Sequence, residues 1–358
     1  MRRGSAVLPG YPPIAWRSWC YSQRIRVNQP RVGCGPAVPD SDYVELRCRS
    51  AFSFLAGASL PEDLVDQAAA LGYDALALAD HGGVYGAPRF FTAARRAGIR
   101  PLVGAEVAVE GGGLLWLLVE ERCGYQNLCR LITAGALGRP KGEARVDWAQ
   151  VEAHACGLHC LAGGSEGPLA GPDAAANLGR LSAIFGERLA VDVHRHHERA
   201  GERLARRLAD LAAAHQVPVV ATNDVRHARP SGRALLDVLT CIRLGTTLDQ
   251  AGRRLLQNAE RHLKSAREMA ALFHDAPDAI RQSRRIAERC AFTLADLGYR
   301  FPEFPLPPGE TPDNHLRALT YGGARERYRT ITPRIRAHLE HELGMIERLD
   351  LAGYFLIV

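Results

Sequence analysis

The sequence predicts an α/β barrel followed by a helical extension, and three observations carry this. Apolar strand-like runs alternate with helix-period segments between residues 42 and 224. About seven such βα units fit into about 180 residues, which suits a closed barrel better than an open sheet. After Asp224 the strand pattern stops and only helical periodicity continues.

The elements follow in order. Tyr43 to Arg49 alternates in polarity and reads as a strand. Ser59-Leu60-Pro61-Glu62 has the form of a capping box, in which Ser59 caps the helix and Glu62 reaches back to it. The helix behind it runs through Leu64, Val65, Ala68 and Leu71 and stops at Gly72. Asp74 to Ala79 is an apolar strand that runs into Asp80-His81-Gly82-Gly83. A helix to Gly98 and a strand from Pro101 to Val107 come next. Strands are then expected at 114–119, 158–162, 188–194 and 217–222, and helices at 124–137, 174–185 and 199–215. This alternation predicts a parallel sheet. Further helical patterns cover 230–243, 265–273 and 276–291. The Pro-rich stretch Tyr299 to Gly309 reads as a linker, and two more helices are expected at 312–328 and 333–349. Tyr354 to Val358 reads as the start of a buried strand, so that the chain stops as a truncated domain would.

Composition excludes several classes. The 358 residues are 47% hydrophobic and 23% charged, which is ordinary for a globular chain and unlike collagen, disordered or disulfide-scaffold sequences. No apolar run approaches the ~18 residues of a membrane span. Arg2 and Arg3 are not followed by an apolar stretch, so no signal peptide is read. Nine Cys occur without a C-x-x-C pair, which favours scattered reduced thiols in a cytoplasmic protein over a zinc site. The net charge of +6 is concentrated in residues 1–41, where six Arg face only Asp40. That Arg/Pro-rich stretch reads as a disordered N-terminal extension, and the charge is not a signature of nucleic-acid binding by the folded part.

In a βα barrel, functional groups sit where strands end. Those positions hold Arg47 and Arg49, Asp80 and His81, Glu106, Gly163 and Gly164, His194 to His197, and Asp224 with Arg226. Asp, His and Glu from separate strands meeting at one mouth form a metal-site pattern. The histidines are equally consistent with a solvated strand end. Arg281, Arg284, Arg285 and Arg289 recur at helical spacing, but Asp278 and Glu288 dilute a phosphate-binding stripe. Trp116 and Trp148 read as core.

A family resemblance now enters on particular motifs. These are Tyr43 to Leu55 with Gly57-Ala58-Ser59, Ala77-Leu-Ala-Asp-His-Gly82, Gly98 to Glu106, Gly124-Tyr-Gln-Asn-Leu128 and Val219 to Asp224. Together they resemble the PHP (polymerase and histidinol phosphatase) domain of bacterial C-family DNA polymerase alpha subunits. Gln257 to Lys264 and Phe301 to Pro305 resemble the error-prone, damage-inducible branch. The resemblance implies a PHP-type distorted (β/α)7 barrel followed by an α-helical extension. The domains it implies are 42–230 as barrel, 231–298 as helical extension, 299–311 as linker and 312–358 as the helical start of a polymerase core, truncated before the palm.

Carried over residue by residue, the resemblance implies a damaged metal site. Asp80, His81, Glu106, His196 and Asp224 survive as a residual set. Arg47, Arg49, Ala56, Gly164 and Arg226 stand where the family has other ligand residues. Guanidinium groups place fixed positive charge where cations would sit. Arg47 and Arg49 are therefore expected to pair with Asp80, Glu106 and Asp224, and the PHP metal is expected to be absent or at most one ion. The resemblance further implies an enzyme of translesion DNA synthesis, acting on DNA and dNTPs with Mg2+ in a palm absent from this chain, with accessory proteins as partners. Two other readings stand beside it, a free-standing metal-dependent PHP phosphoesterase and a non-catalytic binding module.

Overall fold

The computed structural model describes residues 42–297, 304–328 and 330–358. The expected extension 1–41 and residues 298–303 around the start of the Pro-rich linker lie outside them. In chain order the elements are α1 (Pro61–Ala70), β1 (Ala75–His81), α2 (Ala87–Arg96), β2 (Arg100–Val109), β3 (Gly113–Val119), α3 (Arg122–Ala136), α4 (Trp148–Ala153), β4 (Leu158–Leu161), α5 (Ala174–Phe185), β5 (Leu189–Val193), α6 (Arg199–Ala214) and β6 (Val219–Ala221). Helices α7 (Arg233–Leu244), α8 (Leu248–Ala251), α9 (Ala266–Leu272), α10 (Pro277–Arg289), α11 (Pro312–Arg327), α12 (Pro333–Arg348) and α13 (Ala352–Ile357) follow.

The strands lie in the order β1-β2-β3-β4-β5-β6. They are not all parallel, as the alternation had predicted. β3 runs antiparallel to both β2 and β4, and the remaining pairs are parallel. The reason is the connection from Val109 to Gly113, which is far too short for a crossover. Gly111, at φ +65°, supplies the left-handed residue the tight turn needs.

Segment 43–49 closes the curled sheet. The predicted strand there is corrected to an extended segment with one isolated bridge, Cys48 to Val225. Its ladder is interrupted because side chains intercept the amides. The Glu45 carboxylate accepts from the Arg47 amide at 2.9 Å and from the Asn223 amide at 3.0 Å, while Ser283 Oγ accepts from the Val44 amide at 3.0 Å. On one flank, the amides of Ala77 and Ala79 donate to the carbonyls of Glu45 and Cys48, both at 3.0 Å. On the other, the Arg49 amide donates to Val225 at 2.9 Å and the Val225 amide to Arg47 at 2.8 Å. The segment therefore joins β1 to the exit of β6.

Period-two alternation sorts the core into two layers. Ala75, Ala77 and Ala79 share an inner cluster with Val44, Leu46, Leu102, Trp116 and Leu161. Leu76 and Leu78 share the outer cluster with Leu64, Val65, Phe90 and Ala94, from α1 and α2. Three alanines on the inner face of β1 leave room for the indole of Trp116, whose Nε1 donates to the Leu46 carbonyl at 2.9 Å. α10 adds Ile286, Ala287 and Cys290 to the inner cluster.

Two further expectations are corrected. α1 starts at Pro61 with Leu60 as its cap, and Asp63 reaches back to the Leu60 amide at 3.1 Å. Ser59 instead accepts from the Ala228 amide at 2.8 Å, and Glu62 pairs with Arg89 at 2.7 Å. The expected Ser59/Glu62 box is thus shifted by one residue. Tyr354 to Ile357 lies in α13 and not in a strand, with the Phe355 amide bonded to the Leu351 carbonyl. A short apolar run satisfies either period, so its pattern could not decide between them.

Candidate functional site

The barrel mouth is built around Arg47 and Arg49, each 2% exposed. Arg47 Nη1 donates to Asp192 Oδ2 at 2.7 Å, and its Nε to Asp224 Oδ1 at 3.3 Å. Its guanidinium carbon lies 4.9 Å from the ring centre of Trp116, a cation–π contact that also covers its apolar side. Arg49 donates to Glu106, and lies 3.3 Å from Glu166 Oε2 and 3.5 Å from Asp224 Oδ1. Arg226 Nη2 reaches Glu166 at 2.8 Å and Asp224 at 3.2 Å, and Arg261 donates to Asp224 as well. Four guanidiniums thus interlock with Glu106, Glu166, Asp192 and Asp224.

This network keeps Glu106, Asp192 and Asp224 ionised although all three are buried. Burial pushes the Asp224 carboxyl up, but Arg226, Arg49, Arg261 and Arg47 outweigh it and hold it well below the usual range. Burial raises Glu106 too, yet Arg49, the His81 hydrogen bond and Arg47 bring it down to about 2. Asp192 follows the same rule, with Arg47 and then His194 overcoming burial. Glu45 shows the contrast. It is fully buried with no cation bonded to it, and burial raises it to about 7 in spite of hydrogen bonds from Tyr43, Arg47 and Asn223.

Asp80 does not join the arginines, contrary to the sequence-based expectation. Its Oδ1 accepts from the Ser50 amide at 2.8 Å, Ser50 Oγ at 2.9 Å and Ser53 Oγ at 2.8 Å. The turn at 50–53 therefore wraps the carboxylate in neutral donors before a guanidinium can approach. His81, 46% exposed at its side chain, pairs through Nδ1 with Glu106 Oε2 at 2.8 Å. His196 is 5% exposed and its Nε2 contacts the Asn223 carbonyl at 2.9 Å. His194 pairs with Asp192 at 2.9 Å. Neither of these two histidines is a solvated strand end.

The residual metal set does not fit a multinuclear centre. Glu106 and Asp224 already accept from guanidiniums, Asp80 from serines, and His196 faces a carbonyl. A ligand side chain at Gly164 would be strained, because its φ of +77° favours glycine, and its Cβ would stand 2.9 Å from the His194 ring. Among the described residues no group of three or more His, Cys, Asp or Glu is arranged to hold a metal ion.

Sequence reading missed three members of this network: Asp192, Glu166 and Arg261. A signal existed for Asp192, the one charged residue inside the apolar run Leu189 to Val193. Glu166 and Arg261 lie in loops, and although Arg261 falls inside the Gln257 to Lys264 motif, nothing in the sequence marks either as facing the mouth. Three of the four arginines of the α10 stripe meet protein carboxylates: Arg281 on Asp278 at 2.5 Å, Arg284 on Asp74 at 2.7 Å and Arg289 on Glu120 at 2.8 Å.

Comparison with known proteins completes the picture. Residues 45–196 match the PHP domain family. The error-prone DNA polymerase of Mycolicibacterium paratuberculosis is 37% identical over 387 aligned residues, spanning 95% of this chain and 35% of that protein. This chain is a PHP-domain protein related to the error-prone DNA polymerases. The error-prone DNA polymerase of Anaeromyxobacter dehalogenans is 46% identical, over 74% of the PHP chain and 24% of the relative. The PHP chain thus spans about a quarter to a third of the length of the curated relatives it matches. Among solved structures, an amidohydrolase from Chromobacterium violaceum matches 52% of the PHP chain and 88% of its own length, at 17% identity and TM-score 0.36. Among the described residues, no helix of the PHP chain is long and apolar enough to cross a membrane.

Proposed function

We propose that this chain is the PHP-bearing portion of an error-prone DNA polymerase used in damage tolerance, and that its barrel is an arginine-neutralised scaffold rather than a hydrolytic centre. Relatedness to proteins named error-prone DNA polymerase supports the first part. The second rests on one observation, the insertion of Arg47 between Asp192 and Asp224 at the barrel mouth. In this reading residues 42–230 form the barrel, 231–298 its helical extension, 299–311 a linker and 312–358 the start of the polymerase core. DNA-templated nucleotidyl transfer, with its DNA, dNTPs and Mg2+, belongs to portions of the relatives that this chain does not span. No residue described above is assigned to that step. Accessory proteins of translesion synthesis and a cytoplasmic location follow from the same reading.

The alternative is a metal-dependent phosphoesterase using Asp80, His81, Glu106 and Asp224. One assay separates the two. The purified chain is incubated with single-stranded DNA and with p-nitrophenyl phosphate, each with Mn2+ or Zn2+ added. The scaffold reading expects no product above the protein-free control. A metal-dependent rate of hydrolysis on either substrate would overturn it.

A further inference from the structure

Beside the buried network lies a cleft of about 200 Å³ whose walls include Ser165, Glu166, Arg226, Thr240, Arg243, Arg254 and Arg261. Its volume is below the roughly 300–1,000 Å³ of sites for drug-sized ligands, so it suits a small end-group. Arg243 and Arg254 come from α7 and the segment after α8, outside the residues that match the PHP domain.

The cations of this cleft are incompletely matched. Among the described residues, Glu166 is the only carboxylate lining it, and that side chain already bridges Arg49 and Arg226. Arg243, exposed on α7, has no hydrogen-bond or ion-pair partner among the described residues. Arg254 donates only to neutral oxygens: the Ala251 carbonyl at 3.3 Å, the Gln250 carbonyl at 3.0 Å and Thr246 Oγ1 at 3.2 Å. Arg261 uses Nη1 on Asp224, while its buried Nε has no partner among the described residues. All four cations are arginines, whose planar forks match phosphate oxygens in pairs. Ser165 and Thr240 add hydroxyl donors, and Leu236 and Leu256 add apolar wall.

We propose that this cleft binds a terminal phosphate dianion, held by Arg226, Arg243, Arg254 and Arg261 without a metal and without hydrolysis. The ligand is inorganic phosphate or the phosphorylated end of a nucleic acid, and both present the same group. Binding needs neither the polymerase relation nor a metal, so it is measured in EDTA, apart from any hydrolysis assay.

The experiment is calorimetry on the full chain with three probes: inorganic phosphate, a 5′-phosphorylated oligothymidylate and the same oligomer with a 5′-hydroxyl. The double variant Arg243→Ala/Arg254→Ala is run beside the wild type. Both residues are exposed and lack carboxylate partners, so an unchanged unfolding midpoint shows that the variant folds. Losing one charged contact to phosphate weakens binding by about tenfold or more. We expect the double variant to lose at least that factor, and the 5′-hydroxyl oligomer to bind correspondingly more weakly than the phosphorylated one. Tighter binding of the phosphorylated oligomer than of inorganic phosphate would identify a nucleic-acid end as the source, and the reverse would identify free phosphate. Absence of binding by both phosphate-bearing probes, equal binding by the double variant, or measurable and equal binding of the two oligomers would overturn the proposal.

Discussion

Two carboxylates at the same barrel mouth have opposite surroundings. Asp224 meets Arg47, Arg49, Arg226 and Arg261, whereas Asp80 meets the hydroxyls of Ser50 and Ser53 and one amide. Both are 2% exposed. The difference teaches that burial does not dictate how a charge is balanced here. Around Asp224 full charges cancel at close range, and around Asp80 oriented dipoles do the same work with no countercharge. The first solution is intolerant of losing a partner, because removing one guanidinium leaves buried carboxylate charge that the remaining cations no longer balance. The second degrades gradually, one hydrogen bond at a time.

That contrast orders the expected effects. Arg47→Met should be the most damaging change, costing roughly 3–5 kcal/mol because Asp192 and Asp224 lose a buried partner. Urea unfolding reads this, and a cost below about 1 kcal/mol would mean that the network is less coupled than its geometry implies.

The next effect concerns Glu45, which is buried like Asp224 but has no guanidinium bonded to it. Its folded-state value of about 7 lies above the ordinary 4.5, so folding favours the protonated form. Its contribution is fully present below about pH 4.5 and is lost as pH rises through 7, on the order of 3 kcal/mol in all. Glu106, lowered to about 2, acts in the opposite sense: its contribution is present above about pH 4.5 and is lost as pH falls toward 2. Glu45 should therefore lower stability between about pH 5 and pH 8, against the histidines His159, His194, His196, His227 and His262, whose lowered values make stability rise with pH, and Glu45→Gln should remove the Glu45 loss while leaving the acid limb in place. A slope unchanged by Glu45→Gln would remove Glu45 from the account.

Asp80→Asn should show the smallest loss, about 1–2 kcal/mol, since the amide oxygen still accepts from the serines and only charge assistance is lost. A loss equal to that of Arg47→Met would abolish the distinction between the two sides of the mouth.

Much of this was legible in the sequence, for identifiable reasons. The runs around Leu76 and Val191 announce strands because both faces of a barrel strand are covered. The reversal of β3 was missed although Gly111-Gly112-Gly113 separates two apolar runs, because alternation alone carries no direction. The pairing of Arg47 and Arg49 with Glu106 and Asp224 followed from the family resemblance, which sets two guanidiniums at former ligand positions beside the surviving carboxylates. The place of Asp80 did not, since it depends on how the 50–53 turn folds back. The roles of Glu166 and Arg261 could not be read, because loops bring them to the mouth from 117 and 212 residues after Arg49.

The central claim is that guanidinium charge replaces bound cations at the barrel mouth. The most direct measurement is the metal content of the chain purified from cells supplied with manganese and zinc, by elemental mass spectrometry after gel filtration. The account predicts far less than one ion per chain, unchanged by chelator. One or more ions per chain, removed by chelator with loss of stability, would contradict it.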